Sequence, residues 1–130
     1  MAGHRPEPDR DSREWWERIA RHEFAVQRCA GCGVDRFPAR AFCPACRGEE
    51  WRWRAVEPEG RVESWIVARQ PFVPGVAVPY VVVMVRLSAV PDGLAYGNWR
   101  GGREPRAGER VRGVYREEGD VTLVDWEPAG

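Results

Sequence analysis

All four cysteines of this chain sit in two tight hairpins, Cys29-Ala30-Gly31-Cys32 and, after ten intervening residues, Cys43-Pro44-Ala45-Cys46. A two-residue gap turns both sulfurs of one hairpin the same way, and two facing hairpins supply four thiolates at the corners of a tetrahedron, the geometry of a structural zinc. Gly33 and Gly48, just beyond the hairpins, give the backbone the freedom such turns use. Iron is the chemical rival, because an all-sulfur tetrahedron suits both metals. Disulfides fit poorly, since a Cys-x-x-Cys bridge closes too small a loop to staple a domain. A redox role fits no better, because two such motifs at this spacing leave no free thiol. Cys29, Cys32, Cys43 and Cys46 are therefore expected to hold a structural metal.

No second constellation suggests catalysis. His4 falls in the first ten residues, and His22 stands near the end of an expected helix, where a C-terminal cap is the simpler role. The serines are Ser12, Ser64 and Ser88 and the threonine is Thr122, none beside a histidine in sequence. With the thiols committed to metal, a nucleophilic triad is not expected. The acidic pairs Glu49-Glu50 and Glu117-Glu118 lie in expected turns, where solvated charge is the ordinary state. No glycine-rich phosphate cradle is present; Gly101-Gly102-Arg103 reads as a basic, flexible loop. No catalytic residue is assigned.

The 130 residues suffice for one domain with a small appendage, and the larger part should bury a true core. A zinc module alone could not, and would take its folding energy from the metal. The 20 basic residues are all arginine and balance 20 acidic ones, so the formal net charge is zero. That balance argues against pursuit of nucleic acid, and the lack of lysine excludes a Schiff base. Residues 1–10 read as a loose polar arm rather than a targeting signal. The longest apolar run, Gly75 to Val85, contains Pro79 and is short of the ~20 residues that span a bilayer. A reducing, cytoplasmic setting without membrane attachment is expected.

The elements that must position the cysteines follow from periodicity. Asp11 and Glu14 have capping-box spacing, and Trp15, Trp16, Ile19 and Ala20 share one face of a helix expected from Ser12 to about Glu23. Glu14–Arg18 and Glu17–Arg21 are favourable pairs on its other side. Its adjacent tryptophans either staple the helix to its own domain or dock a partner, as tryptophan often does. Phe24 to Arg28 alternates as a strand into the first hairpin, and Glu49 to Val56 alternates out of the second with Trp51 and Trp53 on one face. Short strands around two knuckles make a zinc ribbon. Five further strands are expected at Arg61–Arg69, Pro79–Leu87, Leu94–Arg100, Arg110–Arg116 and Val121–Glu127, with a loop over Gln70–Val78. The second, apolar on both faces through Val81-Val82-Val83-Met84-Val85, should be central. None is separated by room for a crossover helix, so the sheet is antiparallel, and curling it into a barrel removes its edges. The expected fold is mainly β: an N-terminal arm and helix (1–23), a zinc ribbon (24–56) and a five-stranded OB-fold-like barrel (57–130), with the Arg100–Gly108 loop in place of the usual helix.

The order of these motifs carries a resemblance. A Trp-rich helix, Gln27-Arg28-Cys29-x-x-Cys32-Gly33, Phe37-Pro38-Ala39-Arg40, Cys43-Pro44-x-Cys46, Gly60-Arg61-Val62, Pro79-Tyr80 and Gly108 follow one another as in the acyl-CoA-associated family of rubredoxin-type zinc-ribbon plus OB-fold proteins. The resemblance runs from about Trp15 to Pro128. It implies an accessory subunit that binds a thiolase-like, lipid-transfer-protein-type aldolase and helps build its acyl-CoA channel, as in steroid side-chain retro-aldol cleavage. A MaoC-like enoyl-CoA hydratase or a biosynthetic thiolase is the alternative partner. A heterotetramer with a dimeric enzyme is the implied assembly, with the partner supplying nucleophile and base. On this reading Trp15, Trp16, Trp51 and Trp53 are candidates for the subunit interface, against internal packing. Arg100, Arg103 and Arg106 are candidates for CoA phosphates, against a solvated loop. The rival class is a single-strand-binding module, since zinc ribbons and OB barrels both serve there.

Overall fold

The computed structural model describes residues 13–38, 40, 42–69 and 79–129. The expected arm, the Asp11 cap and the Gln70–Val78 loop lie outside them. The described residues form one helix, α1 (Arg13–Ala20), a three-stranded sheet and a five-stranded sheet.

α1 buries Ile19 and half-buries Trp15. It ends at Ala20 rather than near Glu23, because His22 takes the left-handed conformation (φ 59°). The His22 amide then donates to Ile19 O (2.8 Å) and the Glu23 amide to Arg18 O (2.9 Å), which satisfies two of the helix's last carbonyls. Arg18 follows this turn and pairs with Glu23 (2.9 Å) instead of Glu14.

The small sheet has the order β2-β1-β3, all antiparallel: β1 (Ala25–Cys29), β2 (Asp35–Arg36) and β3 (Trp51–Ala55). Its middle strand carries Gln27, opposite Arg36 on one side and Trp53 on the other. β1 ends on the first ligand cysteine and β3 starts opposite it, with Cys29 facing Trp51. The strand pairing thus sets the distance between the two hairpins.

The larger sheet has the order β6-β5-β4-β7-β8, from β4 (Glu59–Ala68), β5 (Tyr80–Leu87), β6 (Leu94–Asn98), β7 (Arg110–Glu118) and β8 (Val121–Pro128). The Val81–Val85 strand is interior to it, as its pattern requires. Its two outer strands meet: Trp99 bridges Trp126 in parallel, and the Arg100 amide donates to Trp126 O at 2.8 Å. That contact closes the OB-type barrel. It demands glycine at position 97, where a Cβ would fall 2.4 Å from Val124 O. Position 60 is tighter still, 2.1 Å from Arg86 O, at the crossing of β4 and β5. A bulge between Val62 and Ser64 lets β4 bend to serve both neighbours.

One apolar cluster joins the two parts. Val62, Val83, Val85, Leu87, Val111 and Trp126 from the barrel pack with Ile19 of α1 and Phe24 at the mouth of β1. Phe24 meets Trp126 edge-on with 6.4 Å between ring centres. Helix and ribbon are thus seated on the barrel through its own core.

Candidate metal centre and adjoining cleft

The four cysteine sulfurs lie within 4.8 Å of one another. Cys29 and Cys46 approach to 3.5 Å and Cys32 and Cys43 to 3.6 Å, so each close pair takes one sulfur from either hairpin. A zinc ion with bonds of about 2.3 Å to sulfur separates its ligands by just under 4 Å, so the four residues fit it. The backbone prepares them. Amides of Gly31 and Cys32 point at Cys29 Sγ (3.3 and 3.5 Å), and the Gly48 amide at Cys46 Sγ (3.4 Å). The Cys32 and Gly31 amides pull the Cys29 thiol down to about 6 against the opposing effect of burial. The Cys46 amide likewise lowers Cys43. Cys32 is favoured as an anion by the Val34 amide, yet Cys43 and burial push it up to about 12. Four thiols without a cation cannot all be anions, and a divalent ion supplies the missing charge.

Behind the knuckles stands a polar frame that alternation did not disclose. Gln27 is fully buried, and its Oε1 accepts from Arg36 Nε (2.7 Å) and from the Arg40 amide (2.8 Å). Arg36, 3 % exposed, returns a hydrogen bond to Arg40 O (3.1 Å) and lies over the Trp51 ring. Asp35 is clamped by Arg54 (2.6 Å) and Arg28 (3.2 Å). In the sequence Gln27 stands only as one position of an alternating strand.

The structure brings the four ligands together; the tryptophans are divided. Trp15 donates from Nε1 to Ala25 O (3.1 Å) and packs edge-on to Phe24 and Phe37. Trp16 sits against Trp15, 4.7 Å between centres. Trp53 donates to Glu14 (2.5 Å) beneath Arg18, tying β3 to α1. The side chains of Arg100 and Arg103 in the basic loop have carboxylate partners. Arg100 reaches the buried Asp125 (2.9 Å), which also binds Arg116 (2.8 Å). Arg103 grips Glu109 with both ends of its fork, and the Arg106 amide donates to the same carboxylate (2.6 Å). His22 is not a side-chain cap. Its ring stacks on Tyr115 (4.4 Å) and its Nε2 meets Glu117 (2.6 Å), which also accepts from Thr122 (2.7 Å).

Between α1, the Phe37-Pro38 segment and the barrel opens a cleft of about 600 Å³. Trp15, Trp16, Phe37 and Pro38 line it from one side of the chain, and Leu94, Tyr96 and Val124 from the barrel. Arg40 and Asp92, both exposed, are its charged residues among those described.

Among known proteins, residues 16–52 match the family described as the ChsH2 rubredoxin-like zinc ribbon domain, and residues 53–116 the ChsH2 C-terminal OB-fold domain. The chain belongs to this zinc-ribbon/OB-fold family. Within it, the chain is 31 % identical over 134 residues to the 3-oxo-4,17-pregnadiene-20-carboxyl-CoA hydratase alpha subunit of Mycobacterium tuberculosis, across 95 % of this chain and 40 % of that protein. It is 37 % identical over 84 residues to a probable enoyl-CoA hydratase alpha subunit of Thermomonospora curvata, across 65 % of this chain and 26 % of that one. It therefore spans well under half the length of these curated relatives. Among solved structures it resembles a chain of an Ltp2-ChsH2(DUF35) aldolase (TM-score 0.88, 31 % identity, 97 % of this chain and 100 % of that one). A Sulfolobus solfataricus DUF35 protein of unknown function shares the fold at 13 % identity (TM-score 0.68, 92 % and 85 % covered). The ChsH2-type ribbon makes the metal at Cys29, Cys32, Cys43 and Cys46 a structural zinc.

Proposed function

We propose that this chain is a non-catalytic accessory subunit of an acyl-CoA-processing enzyme, and that its partner is a thiolase-like, lipid-transfer-protein-type aldolase. The observation that carries the reading is the end-to-end structural likeness to a chain from a two-component aldolase. Retro-aldol cleavage of a β-hydroxyacyl thioester needs a base for the hydroxyl proton and donors for the enolate left on the thioester. Every thiol here is a zinc ligand, so in this reading both come from the partner. The chain contributes shape and contacts along the channel that admits the CoA ester, a steroid side-chain ester in the specific form of the proposal. Trp16 and the outward edges of Trp51 and Trp53 belong to the docking surface, with Trp15 backing Trp16. Arg106 is the first candidate for a CoA phosphate, because Arg100 and Arg103 would have to exchange Asp125 and Glu109 for it.

Co-expression with a thiolase-like protein encoded beside it tests this directly. The expected result is a stable complex of two copies of each chain by native mass spectrometry, cleaving a β-hydroxyacyl-CoA that neither chain cleaves alone. A partner fully active and stable without this chain would overturn the reading. The names of the two curated relatives favour a second reading, with an enoyl-CoA hydratase as the partner. It predicts hydration of an enoyl-CoA by the co-purified complex and no carbon–carbon cleavage.

A further inference from the structure

We propose that the cleft between α1, the Phe37-Pro38 segment and β6 is a ligand site in its own right, binding an amphipathic anion: an apolar body between the aromatic walls and a carboxylate or phosphate on Arg40. This deepens the accessory-subunit reading by giving the acyl group a seat on this chain. The volume, about 600 Å³, falls in the ~300–1,000 Å³ range of small-molecule clefts, which form preferentially where two parts of a fold meet. Trp15, Trp16 and Phe37 on one side and Leu94 and Tyr96 on the other leave aromatic and aliphatic surface to a ligand, and Tyr96 is 63 % exposed. An apolar body takes such a place in preference to water.

Charge chooses the head. Among the described residues two charged ones line the cleft, and they are not equivalent. Asp92 lies near a cation, Arg86, which is held chiefly by both oxygens of Glu63 (3.0 Å each) and also donates to Pro91 O (2.7 Å). The Arg40 guanidinium makes no hydrogen bond or ion pair to another described residue. Its backbone is nonetheless held at both ends, the amide by Gln27 and the carbonyl by Arg36, and both of those side chains are buried. A buried glutamine and a buried arginine thus fix the position from which a cation with no side-chain partner among the described residues reaches the mouth of an apolar cleft. A guanidinium so placed suits a carboxylate or phosphate fork. Segment 1–12, which leads into α1, is polar and charged and offers no apolar body of its own.

Titrating the full zinc-loaded chain, without partner, with dodecanoate, dodecanol, deoxycholate and dodecanoyl-CoA separates the possibilities, because Trp15 and Trp16 fluorescence reports occupancy. The expected result is saturable one-to-one binding of the anions, about tenfold tighter than of dodecanol. Arg40→Gln should remove that tenfold preference and leave dodecanol binding unchanged. Leu94→Trp, which fills the cleft, should abolish binding of all four, with amide protection at Val83 and Val85 confirming that the barrel of the variant folds. A preference for the free acids over the CoA ester assigns the head to a carboxylate, and the reverse assigns it to phosphate. Unsaturable binding, or equal affinities for dodecanoate and dodecanol, would overturn the proposal. So would a partner protein that protects Tyr96 and Trp16 from solvent while no probe binds the free chain. In that last case the complex still forms, so the accessory-subunit reading survives and only the ligand site falls.

Discussion

Cys29 and Val83 are both buried to within 1 % of full exclusion, but for different reasons. Val83 sits in an interior strand of a closed sheet, in one apolar cluster with Val62, Val85, Val111 and Trp126. Its burial follows from the hydrophobic effect and would persist in any well-packed barrel. Cys29 sits in a small sheet that buries Gln27 and Arg36 beside Ala25 and Val26, and whose turns are aimed at sulfur rather than at an apolar layer. The ribbon is a scaffold of hydrogen bonds and ion pairs around a metal; the barrel is an apolar core wrapped by strands. The two parts should therefore fail under different insults.

Metal removal should separate them most widely. Binding of a structural zinc is worth about 10–16 kcal/mol in isolated finger peptides, and the ribbon has little apolar packing to replace it. A strong chelator, or Cys43→Ala, should release amide protection at Gln27, Cys29 and Trp53. Amides of Val83 and Val85 should keep theirs. If barrel and ribbon amides lost protection together, the shared Ile19–Phe24–Trp126 contact would have made them one cooperative unit.

The reverse insult is steric. Gly60→Ala places a methyl 2.1 Å from Arg86 O, where backbone rather than a side-chain tip must give way. We expect a loss of ~3 kcal/mol in denaturant stability with zinc stoichiometry unchanged. Zinc loss in this variant would show that barrel strain travels into the ribbon.

Which parts of this were legible beforehand follows the same division. Cysteine spacing reveals a ribbon because four ligands in two turns have one economical use. The Val81–Val85 run reveals a central strand because both its faces need cover. Barrel closure was expected on the general ground of edge removal, but its agent was not, since Trp99 and Trp126 meet across 27 positions of sequence and need the bare Gly97 between β6 and β8. Helix pairing was misjudged at Arg18 because a non-glycine residue, His22, took the left-handed turn and brought Glu23 back. Arg100 looks free in sequence for the same nonlocal reason, as Asp125 lies on a strand that arrives 25 residues later.

An intermediate effect is expected from the ribbon's polar frame. Gln27→Leu removes the acceptor shared by Arg36 Nε and the Arg40 amide, leaving donors buried without partners. The cost should be ~2–4 kcal/mol by thermal or denaturant unfolding, and Gln27→Glu should recover much of it by accepting the same two bonds. A neutral Gln27→Leu would mean that the metal alone sets the ribbon's shape.

The smallest difference lies at the seam, where His22 and Thr122 hold Glu117. The His22 contact, then Thr122, lowers the Glu117 carboxyl below its ordinary value. A group with a depressed folded value stabilises the fold above its unfolded value and loses that contribution as pH falls through the folded one. The window is thus below about pH 4.3, the ordinary glutamate value. Acid also protonates the cysteines and releases zinc, so raw acid unfolding cannot isolate the pair. The informative quantity is the melting-temperature gap between the natural chain and Glu117→Gln, since zinc release is common to both. That gap should be present at pH 6 and shrink as the solution is taken to pH 3. His22→Ala should reduce it by removing the larger of the two causes. Because both side chains are more than half exposed, the gap should also narrow in high salt. A gap that ignored both pH and salt would place the seam's strength in the His22–Tyr115 stack rather than in charge.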